Sequence, residues 1–295
     1  MRRWVPAAVV SCALGAAVLT AGLSALGAAA SGGVADVGSA AVRVGPVDRP
    51  VLIVSDSASL GIKTYGAKDA LRGVDHVMDL ASCRRRVVGS CRNYDGHLPI
   101  TLLDEMDAHG RHFHTLVVAT GYNDSDRNLV AEVDTIVRRA RELGYERVVW
   151  MTLRSNVAYE STGDYGRAEV YRNVNAALRD LVSAGTYPEL VIADWATYSR
   201  DRSDWFAADG IHVRGEGPWA VADFFSRKLA FLDGRPCPMP AAPGQAPADP
   251  CPDPDAAAPT VDLRGIYPVG EPNPTAGFSM EWEGSSDWPV PPWWE

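Results

Sequence analysis

The sequence has no excess of basic residues. It carries 28 Lys and Arg against 37 Asp and Glu, which gives a formal net charge of -9 at pH 7. A protein that binds nucleic acids generally presents a basic patch or stripe, so this balance argues against a nucleic-acid partner. No internal repeat is apparent, and 295 residues are enough for one substantial domain or two small ones.

Long apolar runs are absent except at the N-terminus. There, two arginines precede an apolar and small-residue run from Trp4 to about Ala30, which closes on the small residues 27–31. This pattern is typical of a secretory signal peptide, so residues 1–30 are predicted to be one. The run is also long enough to span a bilayer, which makes an uncleaved anchor the alternative. In both cases we expect a secreted or extracytoplasmic protein whose only membrane contact is through this segment.

Cysteine is scarce, and no two cysteines have the C-x-x-C spacing that is common at structural zinc sites. Zinc is therefore the weaker interpretation. One of the five cysteines lies in the N-terminal apolar run, and the other four form an even number. In an exported protein that indicates disulfides. Of the three possible connectivities, the simplest pairs Cys83 with Cys91 and Cys237 with Cys251.

Short apolar runs give the main structural signal. Residues 51–54 are all apolar, as in a strand buried on both faces. Similar runs follow, and segments with helical spacing of apolar residues lie between them. Strands that alternate with helices form right-handed βαβ units, so we predict an α/β fold: a three-layer α/β/α sandwich, flavodoxin-like, with a central parallel sheet of about five strands. The other strands are predicted at 76–80, 114–119, 147–151 and 189–193, and helices at 129–140, 171–182 and 217–232.

Composition divides the chain into four parts. The predicted signal segment, 1–30, is followed at 31–48 by small and polar residues that are typical of a flexible spacer. The α/β domain is predicted over 49–234. After it, Pro and Ala dominate over residues 235–259, which excludes a regular helix or a central strand there. The end, residues 268–295, is rich in Pro, Gly and Trp and has no clear periodicity. Residues 235–295 are therefore predicted to be an irregular C-terminal tail, stapled locally if its two cysteines pair.

Candidate functional residues follow the predicted strands, because ligands bind at the carboxyl ends of parallel strands. Ser57 follows the first strand, at a turn into a helix whose N–H groups favour a developing negative charge; the simpler interpretation is a helix cap. The turn lacks the G-x-S-x-G elbow of α/β-hydrolases. Asn123 follows the third strand, and its amide is suited to donate to an oxyanion. Asp209 and His212 precede the last helix, where the carboxylate can hold the imidazole towards a serine.

In this order, these segments resemble the SGNH (GDSL-like) hydrolase family of esterases and acyltransferases. Ser55-Asp56-Ser57-Ala58 is similar to the family's first block, usually Gly-Asp-Ser-Leu. Gly121-x-Asn123-Asp124 matches the block that supplies its Asn, and Asp209-Gly-Ile-His212 matches its last block. The resemblance covers about residues 49–234 and implies a three-layer α/β/α fold, ester chemistry, and no metal or cofactor. It makes Ser57 the nucleophile and His212 the general base, oriented by Asp209.

The resemblance also implies an oxyanion hole. Its donors would be Asn123, the backbone N–H of Ser57 and a backbone N–H of the family's second block, where glycine is usual. That block is expected within residues 79–91, in which Gly89 is the only glycine and lies late. Gly89 is the candidate, and a backbone N–H at 82–84 is the alternative, since a main-chain donor does not require glycine.

Two other patterns have a functional and a simpler interpretation. Arg84-Arg85-Arg86 could form a basic rim for an anionic substrate, but a solvated loop that balances the acidic surface is favoured. A metal site is the functional interpretation of three closely spaced histidines, His109, His112 and His114. No matched set of carboxylates or cysteines accompanies them, and histidine is favourable at a helix C-terminus, so no metal site is predicted.

The predicted function is that of an exported serine esterase of SGNH type, which hydrolyses or transfers a short acyl ester on a carbohydrate or cell-wall substrate. The expected partner is an acylated small molecule or polysaccharide. A lipase or general carboxylesterase is one alternative, although no long apolar lid insertion supports it. A non-catalytic wall- or sugar-binding module that uses this fold and the Trp-rich tail is another. The natural substrate, the acceptor and the oligomeric state stay open.

Overall fold

The computed structural model of the chain describes residues 50–93, 96–157, 168–256, 261–270 and 281–284, the last of these by backbone alone. The predicted signal segment or anchor, the predicted spacer and the tryptophan side chains near the C-terminus lie outside these residues. Within them, no helix is both long enough and apolar enough to cross a membrane.

A central sheet with five parallel strands confirms the predicted fold class. The strands are β1 (Val51–Ser55), β2 (His76–Leu80), β3 (Thr115–Ala119), β4 (Arg147–Met151), β5 (Leu190–Ala193) and β6 (Glu281–Gly284). The parallel strands lie close to the predicted positions, and the order in the sheet is β5-β4-β3-β1-β2-β6. The sixth strand is antiparallel to β2 and comes from the Pro-, Gly- and Trp-rich end, where the sequence pattern predicts no strand.

Helices cover both faces of this sheet. They are α1 (Gly61–Thr64), α2 (Leu102–His109), α3 (Leu129–Glu142), α4 (Ala168–Ser183), α5 (Trp195–Tyr198), α6 (Gly217–Leu232) and α7 (Leu263–Ile266). Of these, α3, α4 and α6 correspond to the three predicted helices. Short 3₁₀ turns lie at Ser57–Ser59, Ala67–Ala70, Gly110–His112, Ser203–Trp205 and Pro254–Ala256.

Successive side chains of each strand point to opposite faces of the sheet, so the domain has two separate hydrophobic cores. In β1, Leu52 and Val54 pack in the core formed with α2, α3 and α4, whereas Ile53 packs on the other face with α6. All three side chains are fully buried, and each contributes about 1.5–3 kcal/mol to folding. Because both faces are covered, every position of β1 is apolar up to Val54, and the chain forms the predicted three-layer α/β/α sandwich.

The described part of the C-terminal segment packs against α6. The hydroxyl of Tyr267 donates to Asp223 at 2.5 Å. Lys228 of the same helix forms ion pairs with Asp253 at 2.9 Å and Asp255 at 2.6 Å. These contacts leave α6 buried along most of its length, charged residues included. The segment therefore completes the layer on this face of the sheet.

Both predicted disulfides are present, Cys83–Cys91 and Cys237–Cys251. The first closes a loop after β2 and the second closes a loop after α6. Native disulfides typically contribute about 2–4 kcal/mol by restricting the unfolded chain. Because all four sulfur atoms are paired, none of them is a thiolate ligand for zinc.

Candidate active site

Ser57 lies just after β1, at the first position of a 3₁₀ turn. The carboxylate of Asp56 caps this turn, because its Oδ1 accepts the N–H of Ala58 at 2.9 Å. The turn leads into α1, which begins at Gly61. A Cβ at Gly61 would approach the carbonyl oxygen of Val213 to 2.7 Å, so glycine is what lets these two segments come so close.

The close approach of these two segments places the side chain of His212 next to that of Ser57. The N–H of Val213, the next residue, donates to the carbonyl of Ala58 at 3.2 Å. The Nε2 atom of His212 lies 3.0 Å from Oγ of Ser57, and its Nδ1 lies 2.7 Å from Oδ2 of Asp209. The three side chains that the sequence predicts as nucleophile, base and orienting carboxylate thus form one hydrogen-bonded chain.

The turn around Asp209 fixes its carboxylate. Oδ1 accepts the N–H of Ile211 at 2.8 Å and that of His212 at 3.1 Å, which leaves Oδ2 for the imidazole. Burial by itself raises the pKa of Asp209, but the two N–H donors and the imidazole outweigh it, so the pKa lies below its ordinary value. Asp209 is therefore ionised at neutral pH and favours the tautomer with the proton on Nδ1.

Asp56 also fixes the segment after β3. Its Oδ2 accepts the N–H of Gly121 at 2.9 Å and that of Tyr122 at 3.0 Å. Burial raises the pKa of Asp56, and the backbone N–H donors oppose that shift. One buried carboxylate thus ties the turn of Ser57 to the turn that carries Asn123. This role is not evident from the sequence motif; the available signal is a carboxylate directly after an all-apolar strand.

The side chain of Asn123 lies against the loop after β2. Its Nδ2 donates to the carbonyl oxygen of Arg84 at 3.2 Å, and the hydroxyl of Thr120 donates to the same oxygen at 3.3 Å. This contact uses one of the two N–H groups of the amide. No acceptor within the described part of the chain takes the other N–H, so the orientation of Asn123 depends on where the loop places the Arg84 carbonyl.

Arg84 and Arg86 are buried in ion pairs, which corrects both interpretations of the arginine run. The guanidinium of Arg84 contacts Asp79 at 2.9 Å and Glu105 at 2.7 Å. That of Arg86 contacts Glu132 at 2.7 Å. Both arginine side chains are 0% exposed, because carboxylates from β2, α2 and α3 converge on them. They are neither solvated nor a rim; they fasten the loop after β2 to the domain.

Asp79, Glu105 and His109 have ligand atoms close enough together to hold a metal ion. The guanidinium of Arg84 already lies between the two carboxyl groups. Burial, with the charge of Asp79, raises the pKa of Glu105 to about 9, and burial lowers the pKa of His109. The two carboxyl groups of the cluster thus share one buried guanidinium group, which links β2 to α2.

The loop after β2 presents a further N–H group. Cys83 has a φ of 71°, a conformation in which glycine is usual. The disulfide to Cys91 and a hydrogen bond of 3.1 Å from the Cys91 N–H to the Cys83 carbonyl hold it there. No acceptor among the described residues takes the N–H of Cys83 or that of Ser57. Gly89 is exposed, and a Cβ there would meet nothing within 4 Å, so Cys83 fits the role of oxyanion donor better.

Comparison with known proteins gives similarity to solved structures alone. No protein-family model matches the chain, and no curated protein matches it. A putative arylesterase from Agrobacterium tumefaciens str. C58 is 14% identical, with a TM-score of 0.44 over 61% of this chain and 98% of the other. A GDSL-like lipase from Bacteroides thetaiotaomicron VPI-5482 is 11% identical, with a TM-score of 0.42 over 59% of this chain and 84% of the other.

A third solved structure is a salicylyl-acyltransferase from a tetracycline biosynthetic pathway. It is 16% identical, with a TM-score of 0.40 over 65% of this chain and 58% of the other. At such identities and TM-scores, the similarity concerns the fold and bears on neither the reaction nor the substrate.

Proposed function

We propose that the protein is an exported serine esterase in which Ser57 attacks the carbonyl carbon of an acyl ester. The observation that carries the proposal is the hydrogen-bonded chain from Ser57 through His212 to Asp209, with 3.0 and 2.7 Å between the paired atoms. A serine hydroxyl is a weak nucleophile until a base takes its proton. Nε2 of His212 is within reach to do so as the bond from Oγ to carbon forms.

Asp209 supports His212 before and after this transfer. While the carboxylate holds Nδ1–H, the lone pair of Nε2 faces Ser57; afterwards the carboxylate stabilises the imidazolium. His212 then donates the proton to the alcohol oxygen of the ester as the C–O bond breaks, which leaves the acyl group on Ser57. A water molecule that the same imidazole deprotonates releases the acid and restores the hydroxyl.

Three donors are proposed for the oxyanion of the tetrahedral intermediate. They are the backbone N–H groups of Ser57 and Cys83 and the free amide N–H of Asn123. Such donors act strongly because they are oriented before the charge develops. Cys83 takes the role for which Gly89 was the candidate from sequence.

The proposed substrate is a short acyl ester on a carbohydrate or cell-wall polymer. The side chains of His212 and Asp209 are 47% and 32% exposed, so a bulky alcohol portion can reach the site. The two disulfides suit an oxidising compartment outside the cytoplasm, and residues 1–30 are the proposed export signal or anchor. If another hydroxyl replaces water, the same acyl-enzyme gives acyl transfer.

Hydrolysis of p-nitrophenyl acetate tests this function. We expect Ser57→Ala and His212→Ala to lose activity by about 10³-fold or more. Ser59→Ala is the matched control, because Ser59 lies in the same turn and makes none of the proposed catalytic contacts. A Ser57→Ala variant as active as wild type would contradict the mechanism. A wild-type protein inactive on this ester and on acetylated polysaccharides would favour a non-catalytic binding module.

A further inference from the structure

A cavity lined by arginines lies near the carboxyl ends of β4 and β5. It has a volume of about 200 Å³ and is bordered by Arg154, Arg172, Arg179 and Arg200. Arg172 and Arg179 share one face of α4, since residues seven apart lie two turns apart on a helix. The volume is below the roughly 300–1,000 Å³ of pockets that enclose a drug-sized ligand. The cavity therefore suits a single charged group rather than a whole ligand.

Within the described ranges, a single carboxylate pairs with one of the four arginines that border the cavity. Arg179 forms an ion pair with Asp194 at 2.9 Å. Arg154, Arg172 and Arg200 have no carboxylate partner among the described residues; Arg200, for example, donates to a threonine hydroxyl at 3.2 Å. The whole chain carries a net charge of -9, so this cluster opposes the average charge. An anion among these guanidinium groups would offset the repulsion between their charges.

Arg154 gives a second, independent indication of an anion site. The residue is only 2% exposed, yet its guanidinium lies 4.3 Å from the ring centroid of Phe206 and donates to the backbone carbonyls of Asn156 and Gly210. Its Nε atom is buried without a hydrogen-bond partner among the described residues. A buried charge that lacks an opposite charge is costly. An anion in the cavity would supply both the charge and the acceptor.

Arg154 also connects the cavity to the turn of His212. Its Nη1 donates to the carbonyl oxygen of Gly210 at 2.9 Å, and Gly210 lies between Asp209 and His212 in the sequence. One arginine thus borders the cavity and holds the turn that presents the imidazole to Ser57. The cavity and the turn that carries His212 therefore share Arg154.

We propose that this cavity binds an anionic oxygen group of the substrate, such as a phosphate, sulfate or carboxylate. Guanidinium groups bind these groups through paired N–H donors. The substrate class is then an acylated carbohydrate that carries such a group. The assignment of the anion to the substrate rests on the proposed esterase function, whereas the anion site itself does not.

Inorganic phosphate is the probe for the site itself. Calorimetric titration into the full-length Ser57→Ala protein measures binding without catalysis. We expect saturable binding that weakens about tenfold when Arg172→Gln and Arg200→Gln are added together, because each charged donor contributes to anion binding. Arg138→Gln, at an arginine that is 68% exposed on α3, is the control and leaves the affinity unchanged. Absent binding, or equal binding with Arg172 and Arg200 replaced, overturns the proposal.

Acetate release from acetylated glucose 6-phosphate and from acetylated glucose decides whether the anion belongs to the substrate. We expect wild type to prefer the phosphorylated ester, and the ratio of the two kcat/KM values to fall about tenfold in the double variant Arg172→Gln/Arg200→Gln. Arg138→Gln keeps the wild-type ratio. Phosphate binding without any change in this ratio overturns the assignment to substrate. If neither ester is hydrolysed, the esterase function fails, and the phosphate titration still decides the site.

Discussion

Removing the Cys83–Cys91 disulfide in two ways separates the role of the cross-link from that of the backbone conformation. The double variants Cys83→Gly/Cys91→Ala and Cys83→Ala/Cys91→Ala both lack the disulfide. They differ by one methyl group at a position with a φ of 71°. Glycine adopts this conformation freely, whereas an L-residue with a Cβ is disfavoured there by about 1–2 kcal/mol.

That free energy sets the size of the expected effect. At 25 °C, about 1–2 kcal/mol lowers the population of the active loop conformation by a factor of about 5–30. If the N–H of Cys83 stabilises the oxyanion, kcat falls by the same factor in the alanine variant relative to the glycine variant. Complete loss of such a donor costs about 10²–10³-fold in kcat, which sets an upper limit.

Initial rates on p-nitrophenyl acetate measure the difference, and thermal unfolding of both variants checks that they are folded. We expect the glycine variant to stay within about threefold of wild type, because it keeps the backbone conformation. Rates close to wild type in both variants would refute the role of the positive φ. Rates reduced equally in both variants would mean that the cross-link itself is what the site needs.

Three further predictions concern Asp209 and Asn123 of the site and the buried Glu105. Asp209→Asn keeps an oxygen for the two backbone N–H groups but turns an NH₂ towards Nδ1 of His212. We expect kcat/KM on p-nitrophenyl acetate to fall at least about tenfold. A change below about threefold would contradict the role of Asp209 in orienting His212. Asn123→Ala should lower kcat by about 10²–10³-fold with little change in KM; an effect on KM alone would mean substrate binding instead. The pKa of Glu105 is raised to about 9 from an ordinary 4.5, so the folded state favours the protonated side chain. The resulting contribution to the free energy of unfolding is fully present below pH 4.5 and is lost as the pH rises towards 9. The non-titrating Glu105→Gln should therefore gain stability relative to wild type across that range, by up to about 1.4 kcal/mol per pH unit; a constant difference in chemical denaturation would contradict the shift.

The five parallel strands and three helices could be predicted because the pattern of apolar residues within each segment shows which of its faces are buried. Residues 51–54 are apolar throughout, since β1 is covered on both faces. The helices α3 and α4 bury one face, and their apolar residues recur at helical spacing. The edge strand β6 carries no such pattern, because its partner is β2, about two hundred positions earlier.

Candidate site residues could be found because each lies in a short motif at a strand end or before the last helix. The parallel sheet brings the carboxyl ends of β1 and β3 to one edge, and the contact between Gly61 and Val213 adds His212. The roles of these residues stay predictions, whereas their proximity is a feature of the fold.

Long-range ion pairs could not be found in this way. Arg84 meets Glu105 at a separation of 21 residues, and Arg86 meets Glu132 at 46. A run of arginines therefore has the local pattern of a solvated loop even though two of its members are buried. The positive φ of Cys83 could not be predicted from sequence either. The disulfide and the loop impose this conformation, and the residue type does not favour it.

Covalent labelling with a fluorophosphonate tests the central claim most directly. A nucleophilic serine displaces fluoride and keeps the phosphonyl group on its oxygen, which peptide mass spectrometry locates. We predict one label per chain on Ser57, and far slower labelling in His212→Ala. A label on any other residue, or continued ester hydrolysis by wild-type protein that carries no label on Ser57, would contradict the assignment of Ser57 as the nucleophile.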